Sequence, residues 1–278
     1  MKRICIISLI ISSLLILTIS SFAALDDRGP SLEQLGMAVS SIADPISASA
    51  RVLNPAAGSR LIAWNYSASF SRSFNLPEFD RFQLAAAGPF GRSTVGGWAS
   101  GFGRTLYSER SAGMNYSHPL YHELQGGVGL TYSQIQVKNY GSDFTVSGDF
   151  GLFWDDDRFT AGISVNNFPS LPMSKFADTT LPIGVQASGI IPVGQTVRVL
   201  AEIAYLENQD VAIRGGVEVW ILPLLAIRMG YDSGTERVHL GLAIAWQGWT
   251  GQGAYDHHPW LGWSNAFGLQ WYPALNRE

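Results

Sequence analysis

The sequence predicts an all-β fold: a transmembrane, antiparallel, up-and-down β-barrel of about 14 strands (12–14) with a short N-terminal helical plug. The first reason is alternation. Phe144, Val146, Phe150, Leu152 and Trp154 share one parity, and Thr145, Ser147 and Asp149 share the other. Val197, Val199, Ala201, Ile203 and Tyr205 likewise oppose Arg198 and Glu202, and Val238, Leu240, Leu242, Ile244 and Trp246 oppose His239 and small residues. Successive side chains of a strand point to opposite faces, so each segment has one apolar and one wet face. The wet face is mostly Gly, Ala, Ser and Thr with few charges, which suits a water-lined lumen better than the outside of a soluble sandwich. The second reason is composition: 46% hydrophobic and 12% aromatic against only 14% charged residues fits a wall facing hydrocarbon. Such a wall must close all its backbone hydrogen bonds between strands. The third is export. Met1-Lys2-Arg3, the apolar run from Ile4 to Ile19 and the small residues of Ser21-Phe22-Ala23 form a secretory signal peptide cut after Ala23.

No later run reaches the roughly 18 apolar residues of a spanning helix. The only cysteine, Cys5, lies in the leader, so residues 24–278 carry no disulfide, thiol chemistry or thiolate metal ligand. With Lys2 and Arg3 removed, 16 basic residues face 22 acidic ones, a net charge of −6, and no basic run suggests nucleic acid.

Residues 24–60 do not alternate and form the plug segment. Ser31 with Gln34 reads as a capping box before Leu32, Leu35 and Val39. Asp44 caps a second helix, with Pro45 at its first position, running through Ile46, Ala48, Ala50 and Val52. Asn54-Pro55-Ala56-Ala57-Gly58 breaks it. A barrel of this width has room for such a segment in its lumen; the alternative is a periplasmic tail. Residues 61–278 form the barrel, with strands near 61–71, 80–88, 94–104, 109–117, 124–137, 143–154, 158–167, 181–191, 196–206, 210–220, 223–231, 236–246, 249–256 and 263–272. Short turns at one end alternate with a set containing the longest loops, 72–79 and 168–180. This is the pattern of short periplasmic turns and longer external loops, with both termini in the periplasm. Gly251 and Gly253 weaken the thirteenth strand.

Trp64, Tyr66, Trp154, Tyr205, Trp220, Tyr231, Trp246, Trp271 and Tyr272 sit near strand ends, where amphipathic rings form interfacial girdles. Arg198, Glu202, Arg214, Glu218 and Arg228 fall on inward positions of three consecutive strands and predict an ion-pair ladder. Such a ladder neutralises charges facing one another across strands, and it can also dock the plug or line a solute path. Little points to catalysis: His239 faces the lumen without a nucleophile motif. His257 and His258 point to opposite faces, and Asp155-Asp156-Asp157 lacks the Gly and distant Glu of a calcium loop and reads as a solvated turn. No enzyme activity, metal or cofactor is expected.

The stretch Gly36-Met37-Ala38-Val39, Ile42-Ala43-Asp44 and Asn54-Pro55-Ala56-Ala57-Gly58 resembles the N-terminal signature of the PorV/PorQ family of outer-membrane barrels. That family is related to the FadL-type fatty-acid transporters, whose hatch carries a similar Asn-Pro-Ala element. The C-terminal half also resembles it, through Arg214-Gly215-Gly216-Val217-Glu218 and Ala226-Ile227-Arg228-Met229-Gly230-Tyr231, whereas Ala254-Tyr255-Asp256 departs from the family's order. The resemblance implies a plugged barrel with Asp44, Asn54, Pro55, Ala56 and Gly58 in the plug, in the outer membrane of a Gram-negative-type bacterium. It implies either of two roles. One is binding or passing hydrophobic small molecules; the other is an accessory barrel docking secretion-system proteins in type IX-like secretion to the cell surface.

Overall fold

A computed structural model describes residues 25, 28, 31, 34–40, 42–173 and 180–273. The leader expected at 1–23 lies outside the described residues. Fourteen antiparallel strands follow one another around a closed barrel. They are β1 (Asn65–Arg72), β2 (Asp80–Phe90), β3 (Ser93–Gly103), β4 (Tyr107–Tyr121), β5 (Leu124–Val137), β6 (Gly141–Asp155), β7 (Thr160–Asn166), β8 (Gly184–Val193), β9 (Val197–Leu206), β10 (Ala212–Leu222), β11 (Leu225–Asp232), β12 (Arg237–Trp246), β13 (Trp249–His258) and β14 (Gly262–Trp271). Pairing of β1 with β14, from Tyr66–Trp271 to Arg72–Asn265, closes the ring and leaves no strand edge. Chain connections at one rim are short, and that rim also carries both ends of the barrel. The other rim carries the longer loops, including 73–79 and 167–183.

The alternation read from the sequence sorts the two faces. Val199, Ile213, Ile227 and Leu242 are 40–61% exposed on the outside. Ser67, Gln83, Thr131, Ser133, Thr145, Ser147 and Asp149, all on the inward parity, are buried. A water-soluble sandwich would hide the first set and expose the second. β13 pairs along its whole length with β12 and β14, and Gly251 and Gly253 face outward onto open space. Thr196 departs from expectation. It lies exposed in the β8–β9 turn, where its carbonyl accepts Trp220 N, instead of lining the lumen.

Six of the expected girdle aromatics, Trp64, Tyr66, Trp154, Tyr205, Tyr231 and Trp246, are exposed outside, and Trp271 packs against Tyr66 and Trp249. Two are not in a girdle. Trp220 shares the inward parity of Glu218 and donates to its Oε1 at 2.7 Å. Tyr272 lies beyond β14, buried, where its hydroxyl accepts Ile62 N and donates to Arg60 O. Nearness to a strand end does not fix a face; parity does.

The N-terminal segment lies within the ring of strands. Its helix α1 (Gln34–Met37) packs against β10 to β14. The second expected helix is only a 3-10 turn, Ser49–Val52. Asp44 Oδ1 accepts Ile46 N, as a cap does, but closes a local turn instead. Ser31 Oγ donates to Ser40 O, its carbonyl accepts Leu35 N of α1, and the Gln34 side chain of the expected capping box lies outside the described residues. β1 starts at Asn65, four residues later than expected, because residues 61–64 are the link out of this segment.

An arginine at Val199, Ile213, Ile227 or Leu242 is expected to destabilise the folded barrel by about 2–4 kcal/mol near the bilayer midplane. Arginine at the exposed Thr196 should stay within about 0.5 kcal/mol of wild type. At Gly216, where even a methyl would meet the Met37 backbone, arginine should displace the internal segment while the barrel stays formed. Heat-modifiable gel mobility after refolding into vesicles reads the first two, and tryptic cleavage at Arg51 reads the third.

Candidate functional site

The site is the contact between the internal segment and the inner wall. An irregular chain in a closed space must find partners for its backbone groups. The wall supplies them with the small polar side chains of its inward face. Thr160 Oγ1 donates to Ala43 O at 2.7 Å, Asn65 Nδ2 to Ile46 O at 2.7 Å, and Asn166 Nδ2 to Leu53 O at 2.7 Å. Asn115 Nδ2 donates to Arg51 O at 3.1 Å and Gln83 Nε2 to Arg28 O at 3.2 Å. Glycines of the wall let the chain approach this closely. A Cβ at Gly230 would overlap the Met37 carbonyl, and one at Gly151 would overlap Asn54 Oδ1.

The plug-motif residues form one compact corner. Asn54 accepts Ala56 N at 3.0 Å on its side-chain oxygen. Its amide donates to Ile42 O at 2.9 Å and to Leu152 O of β6 at 3.2 Å. Asn54, Ala56 and Ala57 are fully buried, and the Pro55 carbonyl carbon and Ala56 nitrogen lie against Gly127 of β5. Gly58, at φ 80°, turns the chain so that its N–H reaches Asp44 O at 3.2 Å. Asp44 Oδ2 in turn accepts Arg198 Nη1 at 3.3 Å. The motif and the charge ladder therefore meet.

The ladder follows the strand register. Glu218 stands opposite both Arg198 and Arg228, and Glu202 opposite Arg214. Glu218 accepts Arg198 Nε and Arg228 Nε, each at 2.8 Å. Glu202 accepts Arg214 Nη1 at 2.7 Å on one oxygen, and Ser40 N (3.0 Å) and Oγ on the other. Arg214 Nε continues to Asp232 at 3.1 Å. Glu202 and Glu218 are fully buried, so their charges are neutralised inside the barrel, for Glu202 partly by Ser40 of the internal segment.

Several anchors escaped the sequence reading. Arg28 forms a buried, bidentate pair with Asp149 at 2.6 and 2.9 Å, also donates to Asn167 Oδ1 and Val52 O, and lies 5.4 Å over the Trp98 ring. Among the described residues Arg51 has neutral acceptors: Asn115 Oδ1 at 2.7 Å, Ser117 Oγ at 3.1 Å, and the carbonyls of Ala57 and Thr94. Burial pushes its guanidinium down to about 9, which still leaves it charged at neutral pH. Asp155, expected in a solvated turn, holds Arg60 at 2.6 Å where the segment leaves the lumen. Its hydrogen bond and charge raise the Arg60 pKa. His239 faces the lumen opposite Asp256, which pairs with Arg237 at 3.3 Å. His258 is engaged in its own loop, accepting Trp260 N at 3.1 Å.

Replacing Glu218 by alanine takes from Arg198 and Arg228 the buried carboxylate they share and should cost about 3–5 kcal/mol, read as a lower urea midpoint for loss of the heat-modifiable band. Glu202→Gln, which keeps shape but removes charge, should loosen the segment around Ser40 more than it weakens the barrel. Faster hydrogen exchange confined to residues 34–44 would report it.

No protein-family model matches the chain, and no curated protein sequence matches it. Solved structures do. A Pseudomonas aeruginosa FadL homologue superimposes with a TM-score of 0.64 at 10% identity, covering 87% of this chain and 97% of its own. The monoaromatic hydrocarbon channel CymD gives 0.66 at 11% identity, covering 89% and 98%. The Ralstonia pickettii toluene transporter TbuX gives 0.63 at 10%, covering 89% and 99%. Two of these neighbours are described as a hydrocarbon channel and a toluene transporter, and at this identity the likeness is one of architecture. The chain has the fold of the FadL-type hydrocarbon transporter barrels.

Proposed function

We propose that the chain is a non-enzymatic outer-membrane channel that binds and passes hydrophobic small molecules, with passage controlled by the N-terminal plug. The observation that carries this reading is the filled lumen. The described residues between Leu25 and Gly58 sit against the inward wall on side-chain hydrogen bonds, glycine contacts and a neutralised charge ladder, all of them non-covalent contacts beyond the single chain link into β1. A plug held this way can shift within the lumen while the closed ring of strands stays intact. The outer wall favours the same reading, since an apolar belt on a closed barrel has hydrocarbon as its natural solvent. In this orientation the short-turn rim and both ends of the barrel face the periplasm. The roles of Asp44, Asn54, Pro55, Ala56 and Gly58 as plug corner, and of Arg198, Glu202, Arg214, Glu218 and Arg228 as its dock, belong to this proposal. The structural neighbours described as hydrocarbon channels support the class of solute.

A second reading, a docking barrel for type IX-like secretion, draws on the PorV/PorQ resemblance of Gly36–Val39 and Asn54–Gly58. Deleting the gene separates the two. Lost growth on, or uptake of, apolar solutes with normal display of surface proteins favours the channel, and the reverse pattern favours the docking barrel.

The direct test is uptake of a small aromatic hydrocarbon into proteoliposomes carrying the full-length protein. Uptake should exceed that of empty vesicles and saturate, and Gly230→Ala, which crowds Met37, should change its rate severalfold. Uptake equal to empty vesicles for both proteins would end the channel reading.

A further inference from the structure

In one sector of the barrel the outward wall turns polar before the strands end. Exposed Trp154 and Phe144 stand ten residues apart on the outward parity of β6. At about 3.3 Å per residue and the usual strand tilt this is about 25 Å, the height of an apolar belt. Phe144 stacks on Tyr132 of β5 at 5.8 Å, which marks the edge of the belt toward the long-loop rim. Just beyond that edge stands Arg110 of β4, exposed, on the outward parity of Met114 and Tyr116 and two residues past Ala112, the partner of Tyr132. Gln134 of β5 faces Arg110, Gln136 follows on the same parity, and Lys138 lies exposed in the next turn. On the other side the Phe82 ring lies over Gly101, the β3 partner of Arg110, and brings apolar surface up to the cation.

Among the described residues, neither Arg110 nor Lys138 forms a salt bridge or a side-chain hydrogen bond. Nearby, Arg72 and Arg104 share Asp80, each at 2.6 Å. With the exposed Glu78 included, the four outward cations described on β1 to β6 and their long-loop connections meet two outward carboxylates. Across the barrel the pattern reverses. Tyr205, Ile213, Tyr231 and Val238 carry the apolar wall to the strand ends, and the exposed charges that follow, Glu207, Asp210 and Glu236, are acidic. An outward arginine is costly at the bilayer midplane and tolerated at the interface. At the interface it also meets lipid headgroups, where an anion can pair with it.

We infer that this sector docks the phosphate of an anionic lipid headgroup, with Arg110 and Lys138 as its charged contacts and the amides of Gln134 and Gln136 as neutral donors between them. Phosphate suits this set, because its oxygens accept from a guanidinium in pairs and from an ammonium or an amide singly. The stems of both cations lie along the wall while their heads reach the headgroup layer. A free phosphate ion would find the same donors. The lipid is the occupant the wall favours, since the apolar surface of Phe82, Tyr132 and Phe144 adjoins the cations on the side where acyl chains run. Bound there, the lipid fixes the barrel's depth and its rotational setting toward anionic lipid on one side only. That the leaflet concerned is the outer one rests on the orientation proposed above, but the binding itself does not depend on transport.

The experiment is native mass spectrometry of the purified protein in detergent, mixed with equal amounts of dioleoyl phosphatidylglycerol and dioleoyl phosphatidylcholine. Each interfacial cation is worth about fivefold in affinity for anionic lipid. Phosphatidylglycerol adducts should therefore exceed phosphatidylcholine adducts severalfold in the wild type, and a large excess of inorganic phosphate should not displace them. Arg110→Gln combined with Lys138→Gln should bring the two lipids to parity. Arg92→Gln combined with Arg158→Gln, which removes two exposed cations from the short-turn rim, should leave the preference in place. The heat-modifiable band is the folding control for every variant. If the first double variant lacks that band, Lys138→Gln alone, in its exposed turn, must still lower the preference. Equal adducts in the wild type, a preference unchanged on losing Arg110 and Lys138, an equal loss in the short-turn variant, or displacement by inorganic phosphate would each overturn the inference. Solute uptake is not read, so a failure of the channel reading leaves this result standing.

Discussion

Carboxylates inside the barrel must be neutralised there, and that requirement ties the internal segment to the wall. Glu202 and Glu218 are fully buried, and Asp149 nearly so. None is near bulk water, so each needs cations and hydrogen-bond donors within the lumen. The wall supplies Arg198, Arg214 and Arg228, and the internal segment supplies Arg28 and the Ser40 amide and hydroxyl. Remove that segment and Asp149 loses its arginine, while Glu202 loses two donors. Internal segment and wall are thus electrostatically incomplete without each other, which explains why a short, mostly irregular segment holds a defined conformation.

The same logic explains the composition of the inward face. A plug built mostly of non-repetitive backbone leaves carbonyls that no helix satisfies. Threonine and asparagine at Thr160, Asn65, Asn115 and Asn166 meet them one by one. Glycine appears where the backbone of the internal segment touches the wall, as at Gly127 and Gly230, since any Cβ would block the approach. The small, polar character of one parity is a record of what it packs against.

The barrel was legible in the sequence because each strand separates two environments, and a two-residue period reports that separation locally. The ladder was legible for a related reason: Glu218 faces Arg198 and Arg228 directly across adjacent strands, so register alone brings them together. What was not legible depends on distant partners. Asp155 looks like a solvated turn until Arg60, 95 residues away, is brought to it, and Arg28 meets Asp149 across 121 residues. The second helix failed for a similar reason. Asp44 and Pro45 are good local signals for a helix start, but Gly58 N, Arg60 N and the wall's Asn65 take the Asp44, Pro45 and Ile46 carbonyls that a helix would have used. Trp220 and Tyr272 were assigned to a girdle by position along the strand, when the face is set by parity and by the end of the strand.

In the proposed channel the internal segment closes the lumen. Planar-bilayer recording in potassium chloride tests it most directly, because an ion needs a continuous water path and an apolar wall gives it no other route. The account predicts that the intact mature chain inserts without steady ionic steps, and that a barrel beginning at residue 61, refolded and inserted the same way, gives large, stable ones. Steady large steps from the intact chain, of the size given by the shortened barrel, would contradict it.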